Sequence, residues 1–224
     1  MGLLDDLKKE ADHARGSEVS KTELLQSNIG ATEKALELAG KYLATLSAQL
    51  NVLKPVCTRV YLLDKVGEIS GLVQSEFFSD YRKGDVEGKE RYKQVLLNFR
   101  CALPKPIQVR INFDQIDSFR KILSRYALKY TSQVFKNDRG VVSHEVFEIT
   151  GDFLAQAMFE GDHLNGAVRL VLKHVTEFGF IALQFDAREF GESTLDEFTK
   201  LIIGKPSQFI QMGKKVVYGG QTSL

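Results

Sequence analysis

The sequence predicts an α+β fold in which N-terminal helices precede two antiparallel β units, each closed by an amphipathic helix. Three observations lead to this prediction. Apolar residues recur at helical spacing up to residue 53 and then at every second position, which is the spacing of strands. Capped amphipathic stretches follow the strands twice, at 115–128 and at 194–203. The residues around these two stretches also resemble each other, as expected for two related halves.

The resemblance between the halves covers the last strand and the closing helix of each. Residues 111–123 contain Ile-Asn-Phe-Asp followed by a helix. Residues 183–202 contain Leu-Gln-Phe-Asp and then, after a seven-residue insertion, a helix with Asp, Phe and Lys at matching positions. Because any capped amphipathic helix after a strand reproduces part of this pattern, the sequence leaves open whether the halves are a true duplication.

The composition is that of a soluble globular protein. The chain has 224 residues, of which 43% are hydrophobic and 26% are charged, and its net charge is +1. This balance gives no global attraction to nucleic acid or anionic lipid. We expect no transmembrane segment, because no apolar run reaches about 18 residues, and no secretory signal. With only Cys57 and Cys101 there is no disulfide framework, and we expect a cytoplasmic protein without a cofactor.

The first segment, residues 1–54, is predicted to be helical. Residues 3–14 place apolar side chains at helical spacing, and Gly16 is expected to end this short helix. The capping box from Ser20 to Glu23 then begins a second helix, which Lys54-Pro55 ends. The apolar residues of the short helix are Leu3, Leu4, Leu7, Ala11 and Ala14.

The second helix has a heptad-like seam. From Leu25 to Leu53 its apolar positions follow spacings of three and four, although Gly30 and Gly40 weaken the pattern and the former is a place where the helix can divide. The commoner role of such a helix is to pack on the protein's own sheet. The alternative is contact with a helix of a protein partner or of a second copy, which so strict a seam favours over a broad amphipathic face. The residues predicted to make the contact are Leu36, Leu43, Leu46, Leu50 and Leu53.

The second segment, residues 55–128, is predicted to be the first β unit. Alternating apolar residues predict its four strands, and residues 82–90 form a polar break between the second and the third. The closing helix, residues 115–128, has an apolar stripe that includes Phe119 and Leu123. The strands are expected near 57–64, 68–79, 91–102 and 107–113.

The third segment, residues 129–204, is predicted to be the second β unit. Its helix begins after a capping box at Ser193 and ends before Gly204. Residues 205–224 have no periodicity and are expected to form a tail. The strands of this unit are expected near 131–136, 141–150, 152–160, 167–176 and 178–186.

One loop between the strands carries candidate metal ligands. Glu160, Asp162 and His163 lie within four positions, and carboxylates together with an imidazole can hold a divalent ion or act as acid and base. The alternative is structural, because acidic residues are also common in hairpin turns. His174 lies on an apolar strand face, where a hydrogen-bonded structural histidine is expected.

Basic and aromatic residues are interleaved along the first closing helix. Arg120, Arg125, Lys129 and Tyr126 combine charge with a ring on which bases can stack, as in proteins that bind single-stranded nucleic acid. Lys and Arg also solvate the outer face of any helix, so nucleic acid is the less favoured partner.

No assembled catalytic motif accompanies these candidates. The sequence contains neither a Gly-x-Ser-x-Gly elbow nor a glycine-rich phosphate loop. We therefore predict a non-enzymatic binding or adaptor protein that self-associates or binds a protein partner through the N-terminal helix. The alternatives are a metal-assisted or acid–base enzyme built on the loop at residues 160–163, and a nucleic-acid-binding protein.

Overall fold

The computed structural model describes the backbone of residues 3–103 and 105–217 and the side chains from Val19 onward within these ranges. Its helices are α1 (Leu3–Leu53), α2 (Ile116–Arg125), α3 (Glu192–Ile202) and α4 (Phe209–Met212), and a short 3-10 turn at Phe113–Gln115 precedes α2. Its strands are β1 (Tyr61–Leu63), β2 (Gly67–Ile69), β3 (Val73–Val86), β4 (Lys89–Ala102), β5 (Ile107–Asn112), β6 (Tyr130–Lys136), β7 (Val142–Ile149), β8 (Phe153–Asp162), β9 (Ala167–Lys173), β10 (Phe180–Asp186) and β11 (Lys214–Lys215).

The strands form antiparallel sheets, which confirms the predicted α+β class with an N-terminal helix. A six-stranded sheet has the order β11-β10-β9-β8-β4-β3, a three-stranded sheet has the order β5-β7-β6, and β1 pairs with β2. Strands of both predicted units therefore occur in both larger sheets, since β4 pairs with β8 and β5 pairs with β7. The relation of the halves by an internal repeat remains a prediction.

The helix α1 is continuous for 51 residues, so the predicted end at Gly16 and the weak point at Gly30 are wrong. A glycine inside a helix costs only about 1 kcal/mol relative to alanine, which good helix formers and packing on either side can offset. At Gly40 the helix lies against β4 with room for a methyl group, because an added Cβ would make ordinary van der Waals contact, at 3.8 Å, with Tyr92 and Val95.

The predicted polar break at 82–90 is instead the tip of a long hairpin. The strand β3 continues to Val86 and β4 begins at Lys89, so only Glu87 and Gly88 connect them. Both have positive φ, 52° and 72°, as a two-residue type I′ hairpin turn requires. Charged residues are compatible with strands here because most side chains between Tyr81 and Glu90 are exposed, although Val86 is buried.

Residues 205–217 are also more ordered than predicted. Phe209 of α4 is fully buried, with its ring 5.2 Å from that of Phe185 and 5.3 Å from that of Phe198. Beyond it, β11 pairs with β10 at the edge of the six-stranded sheet. The last part of the predicted tail, residues 218–224, lies outside the described residues.

The main core lies between the six-stranded sheet and the helices α1 and α3. Leu97 and Phe159 point to the helices and are buried, whereas Phe78 and Leu154 on the opposite face are exposed. The helix α2 covers the three-stranded sheet, with the ring of Phe119 5.0 Å from that of Phe147. None of the helices within the described residues has the length and apolar character needed to span a membrane.

Candidate functional site

An open groove of about 760 Å³ lies at one end of the six-stranded sheet, between the tip of the β3–β4 hairpin and the β8–β9 turn. Its charged lining is balanced, because three cations face three carboxylates. These residues are Arg82, Lys93, Arg169, Glu87, Glu160 and Asp162, and His163 also lines the groove. The groove thus contains the three residues predicted to bind a metal ion.

The predicted metal ligands are not brought together. Alternation along β8 directs Glu160 and Asp162 to one face of the sheet, and His163 is buried on the opposite side beneath α1. The carboxylate of Asp162 already has protein partners, since it accepts hydrogen bonds from Asn165 at 3.0 Å and from Arg169 at 2.7 Å. No group of three His, Cys, Asp or Glu side chains within the described residues is arranged to hold a metal ion.

His163 meets a carboxylate that sequence spacing does not indicate. Its Nε2 lies 3.9 Å from Oε2 of Glu33 on α1, which also accepts a hydrogen bond from the backbone of Tyr92. Burial lowers the pKa of His163, and a hydrogen bond to the backbone of Gly161 opposes this effect. At 3.9 Å from Glu33, Nε2 is buried without a hydrogen-bond partner among the described residues. The pair links α1 to the β8–β9 turn.

His174 is a structural histidine, as the sequence predicts. Its Nδ1 accepts a hydrogen bond from the backbone of Gly179 at 3.0 Å, so the proton of the neutral ring resides on Nε2. The rings of Tyr126, Phe153 and Phe178 surround it at centroid distances of 5.9 to 6.0 Å. Burial lowers the pKa of His174 to about 4.

The residues predicted to bind nucleic acid do not form a free basic surface. Arg120 pairs with the buried Glu145 at 2.8 Å, and Lys129 pairs with Asp152 at 3.0 Å. Tyr126 does not present a free ring, because it stacks on Phe178 at a centroid distance of 4.9 Å. Of the four, Arg125 alone has no ion pair or ring contact within the described residues.

The leucines of the predicted seam pack against the core of their own subunit, with the exception of Leu53. Leu36, Leu43, Leu46 and Leu50 are buried in the core beneath α1, so the prediction that they contact another molecule is wrong. Leu53, at the end of the helix, is 71% exposed. The physical reason is that a stripe of leucines at this spacing fits a sheet as well as it fits another helix. Spacing alone does not distinguish the two.

Neither protein families, nor curated proteins, nor solved structures show a match to this chain. Evidence about the function of this chain therefore comes from its own surfaces.

The most distinctive of these surfaces is the N-terminal part of α1. Asn28 is the first buried side chain of the described part of α1, and it anchors the helix by donating to the carbonyl of Leu164 and accepting from Arg188. No side chain from Val19 to Ser27 is buried, and Leu24 is 58% exposed. We call Leu3–Ser27 the arm; at 1.5 Å per residue it is about 37 Å long. Sequence reasoning missed it because Gly16 was expected to end the helix.

Proposed function

We propose that this protein is a non-enzymatic adaptor that self-associates through the arm of α1. The observation that supports the proposal is the contrast between the two parts of this helix. From Asn28 onward α1 packs on the six-stranded sheet, whereas no side chain between Val19 and Ser27 is buried by its own subunit. The proposed contact is therefore assigned to the N-terminal arm and not to the leucines between residues 36 and 53.

The arm has a reason to bind another helix. A lone helix in water is marginal, because most helical stability in proteins comes from packing an apolar face. Along the arm the sequence places Leu4, Leu7, Ala11 and Ala14 at spacings of three, four and three. That is the spacing of a coiled-coil seam, and the alanines permit close approach of a second helix. Pairing with a second arm would bring these two apolar faces together.

The other two functions are less favoured by the geometry. The enzyme alternative needs Glu160, Asp162 and His163 to act together. The two carboxylates lie on one face of the sheet, and His163 lies on the other. The nucleic-acid alternative needs free cations, and two of the predicted basic residues are already paired. A cytoplasmic location is part of the proposal and agrees with two free, buried cysteines, Cys57 and Cys101.

A cysteine at the end of the arm seam tests the proposal, in which two arms pair in parallel and in register. Ala14→Cys in the full-length chain is expected to form a disulfide-linked dimer under mild oxidation, because position 14 then meets its counterpart in the second copy. The native cysteines do not interfere, since both are buried. Val52→Cys is the matched control, because it lies on the same helix, is 83% exposed and is outside the arm. The absence of cross-linking at position 14, or equal cross-linking at both positions, overturns the proposal.

A further inference from the structure

The strand β6 is an edge strand that no other part of the described chain covers. All seven of its residues, Tyr130–Lys136, are exposed, and they include Val134 at 47%. The strand lies at the margin of the three-stranded sheet, with β7 on one side only. The helix α2 packs through Phe119 on Phe147 of β7 and leaves β6 open.

The direction of the free backbone groups follows from two hydrogen bonds. The amide of Thr150 donates to the carbonyl of Lys129, and the amide of Asn137 donates to the carbonyl of Val141. In an antiparallel pair, hydrogen-bonded and non-hydrogen-bonded residues alternate, so odd-numbered residues of β6 face β7. The amides and carbonyls of the even-numbered residues therefore point outward. Those residues are Tyr130, Ser132, Val134 and Lys136.

The usual protections of a free edge are weak here. Native proteins block such edges with proline, with inward-pointing charges, with bulges or with a covering segment. The strand contains no proline, and its one charged residue, Lys136, is at its end. The register shift against β7 also falls at the end, between Phe135 and Lys136. The central part of the strand is thus able to accept another strand.

We propose that β6 pairs antiparallel with β6 of a second copy of this chain, about a twofold axis through Gln133. This register engages the full length of the strand. The outward groups of Ser132 face those of Val134 in the second copy, and those of Tyr130 face those of Lys136. Each such pair exchanges two hydrogen bonds, and symmetry doubles both pairs. The two three-stranded sheets become one continuous six-stranded sheet.

The side chains in this register are complementary, which favours a second copy over an unrelated strand. On the α2 side, Tyr130 faces Lys136 of the second copy, an arrangement that allows a cation–π contact. On the other side, Thr131 faces Phe135, an aromatic and β-branched pair of the kind that stabilises sheets. Gln133 faces its own counterpart. No like charges are opposed, and the apolar surface of Val134 becomes covered.

A cysteine on the axis provides a direct test. In a non-hydrogen-bonded antiparallel pair the Cα atoms are about 4.5 Å apart, which suits a disulfide. Gln133→Cys is therefore expected to cross-link, whereas Thr131→Cys, which meets Phe135 instead, is expected to remain uncross-linked. Both are made in a chain that also carries Leu4→Asp and Leu7→Asp, so that the arm does not hold the copies together. No cross-linking at position 133, or equal cross-linking at both positions, overturns the pairing.

The introduction of a charge at position 133, which lies on the axis, provides a second test. Gln133→Lys places two like charges opposite each other and is expected to give a monomer by light scattering in the arm-disrupted chain. Gln133→Glu is expected to do the same. An equimolar mixture of the two is expected to restore a mass of two chains. If each variant alone keeps that mass, β6 is not the contact.

The oligomeric state separates this inference from the proposed function. With both contacts intact, the assembly is expected to exceed two chains, because two different self-complementary surfaces link successive copies. Disruption of either surface alone is expected to leave dimers, and disruption of both to leave monomers. Monomers after arm disruption alone overturn the β6 pairing. Monomers after Ser132→Pro alone overturn the arm contact, since edge strands tolerate proline where the amide faces outward.

Discussion

The side-chain amide of Asn51 forms a strand-like pair with the backbone of Phe77. Its Nδ2 donates to the carbonyl of Phe77 at 2.7 Å, and its Oδ1 accepts from the amide of Phe77 at 2.8 Å. This happens where β3 is irregular, since its register against β4 shifts between Ser75 and Phe78 and Glu76 has a φ of 55°. The end of α1 thus satisfies the two backbone groups that the bulge exposes.

We expect Asn51→Ala to lower the free energy of unfolding by about 1 to 3 kcal/mol, because it leaves a partly buried donor and acceptor without partners. Urea denaturation followed by circular dichroism measures the change. Gln49→Ala is the control, since Gln49 is exposed on the same helix and should change stability by less than about 0.5 kcal/mol. Equal stability of the two variants contradicts a structural role for Asn51.

A second prediction concerns the ion pairs of Asp152, which follows β7. Arg100 donates to both of its carboxylate oxygens, at 2.6 and 2.7 Å, and Lys129 adds a third contact at 3.0 Å. These hydrogen bonds, the first from Arg100, hold the pKa of Asp152 below its ordinary value of 3.8. The folded state therefore releases this proton more readily than the unfolded chain does, and the carboxylate stabilises the fold above pH 3.8.

We expect Asp152→Asn to destabilise the fold by about 1 to 2 kcal/mol at neutral pH, a moderate value because Arg100 is partly exposed. The difference from the unmodified protein should shrink as the pH falls below 3.8, because the native carboxylate becomes protonated there. Urea titrations at pH 7, 5 and 3 provide the measurement. A difference that does not depend on pH would show that lost packing, not charge, explains the effect.

The third prediction concerns the acid sensitivity caused by His174. Its pKa is lowered by burial to about 4, from an ordinary value of 6.5. The unfolded chain thus binds a proton at a higher pH than the fold does, so stability is full above pH 6.5 and declines as the pH falls toward 4. The total loss is roughly 3 kcal/mol, since each pKa unit corresponds to about 1.4 kcal/mol.

His174→Asn should remove most of this decline, and asparagine tolerates the positive φ of 54° at this position. Thermal unfolding between pH 7 and 4.5 measures the slope. The unmodified protein, measured over the same pH range, is the reference. If His174→Asn keeps the slope of the unmodified protein, the aromatic pocket is not the cause.

The elements that local signals define were predictable from the sequence. The helix α2 falls within the predicted 115–128, because the buried side chains of Ile116, Phe119 and Leu123 recur at helical spacing. The strand β7 falls within the predicted 141–150 for the equivalent reason, alternation of buried and partly exposed residues. Interactions within one element are enough to specify both.

What depends on distant parts of the chain was not predictable in the same way. The pairing of β4 with β8 joins residues about 60 positions apart, and alternation does not identify a strand's neighbour. The contact of His163 with Glu33 likewise spans the chain from α1 to the β8–β9 turn. The separation of Glu160 and Asp162 from His163 does follow from strand alternation, and treating the segment as a loop concealed it.

The last prediction compares two glycines near the contact of α1 with β8. At Gly161 an added Cβ would lie 2.7 Å from Cε1 of His163, 2.8 Å from Leu36 and 3.0 Å from Thr32. These neighbours are buried, so Gly161→Ala should push α1 away from the sheet and destabilise the fold by about 1 to 3 kcal/mol. At Gly30, on the same helix, an added Cβ meets nothing within 4 Å.

Gly30→Ala should therefore stabilise the fold by about 0.5 to 1 kcal/mol, because alanine loses less conformational freedom in a helix. Urea denaturation of both variants gives the two changes, and their opposite signs make the comparison informative. A loss of stability at Gly30 would contradict the continuity of α1 through this position, since a broken helix would use the glycine as a cap. Unchanged stability in Gly161→Ala would contradict the close packing of α1 on β8.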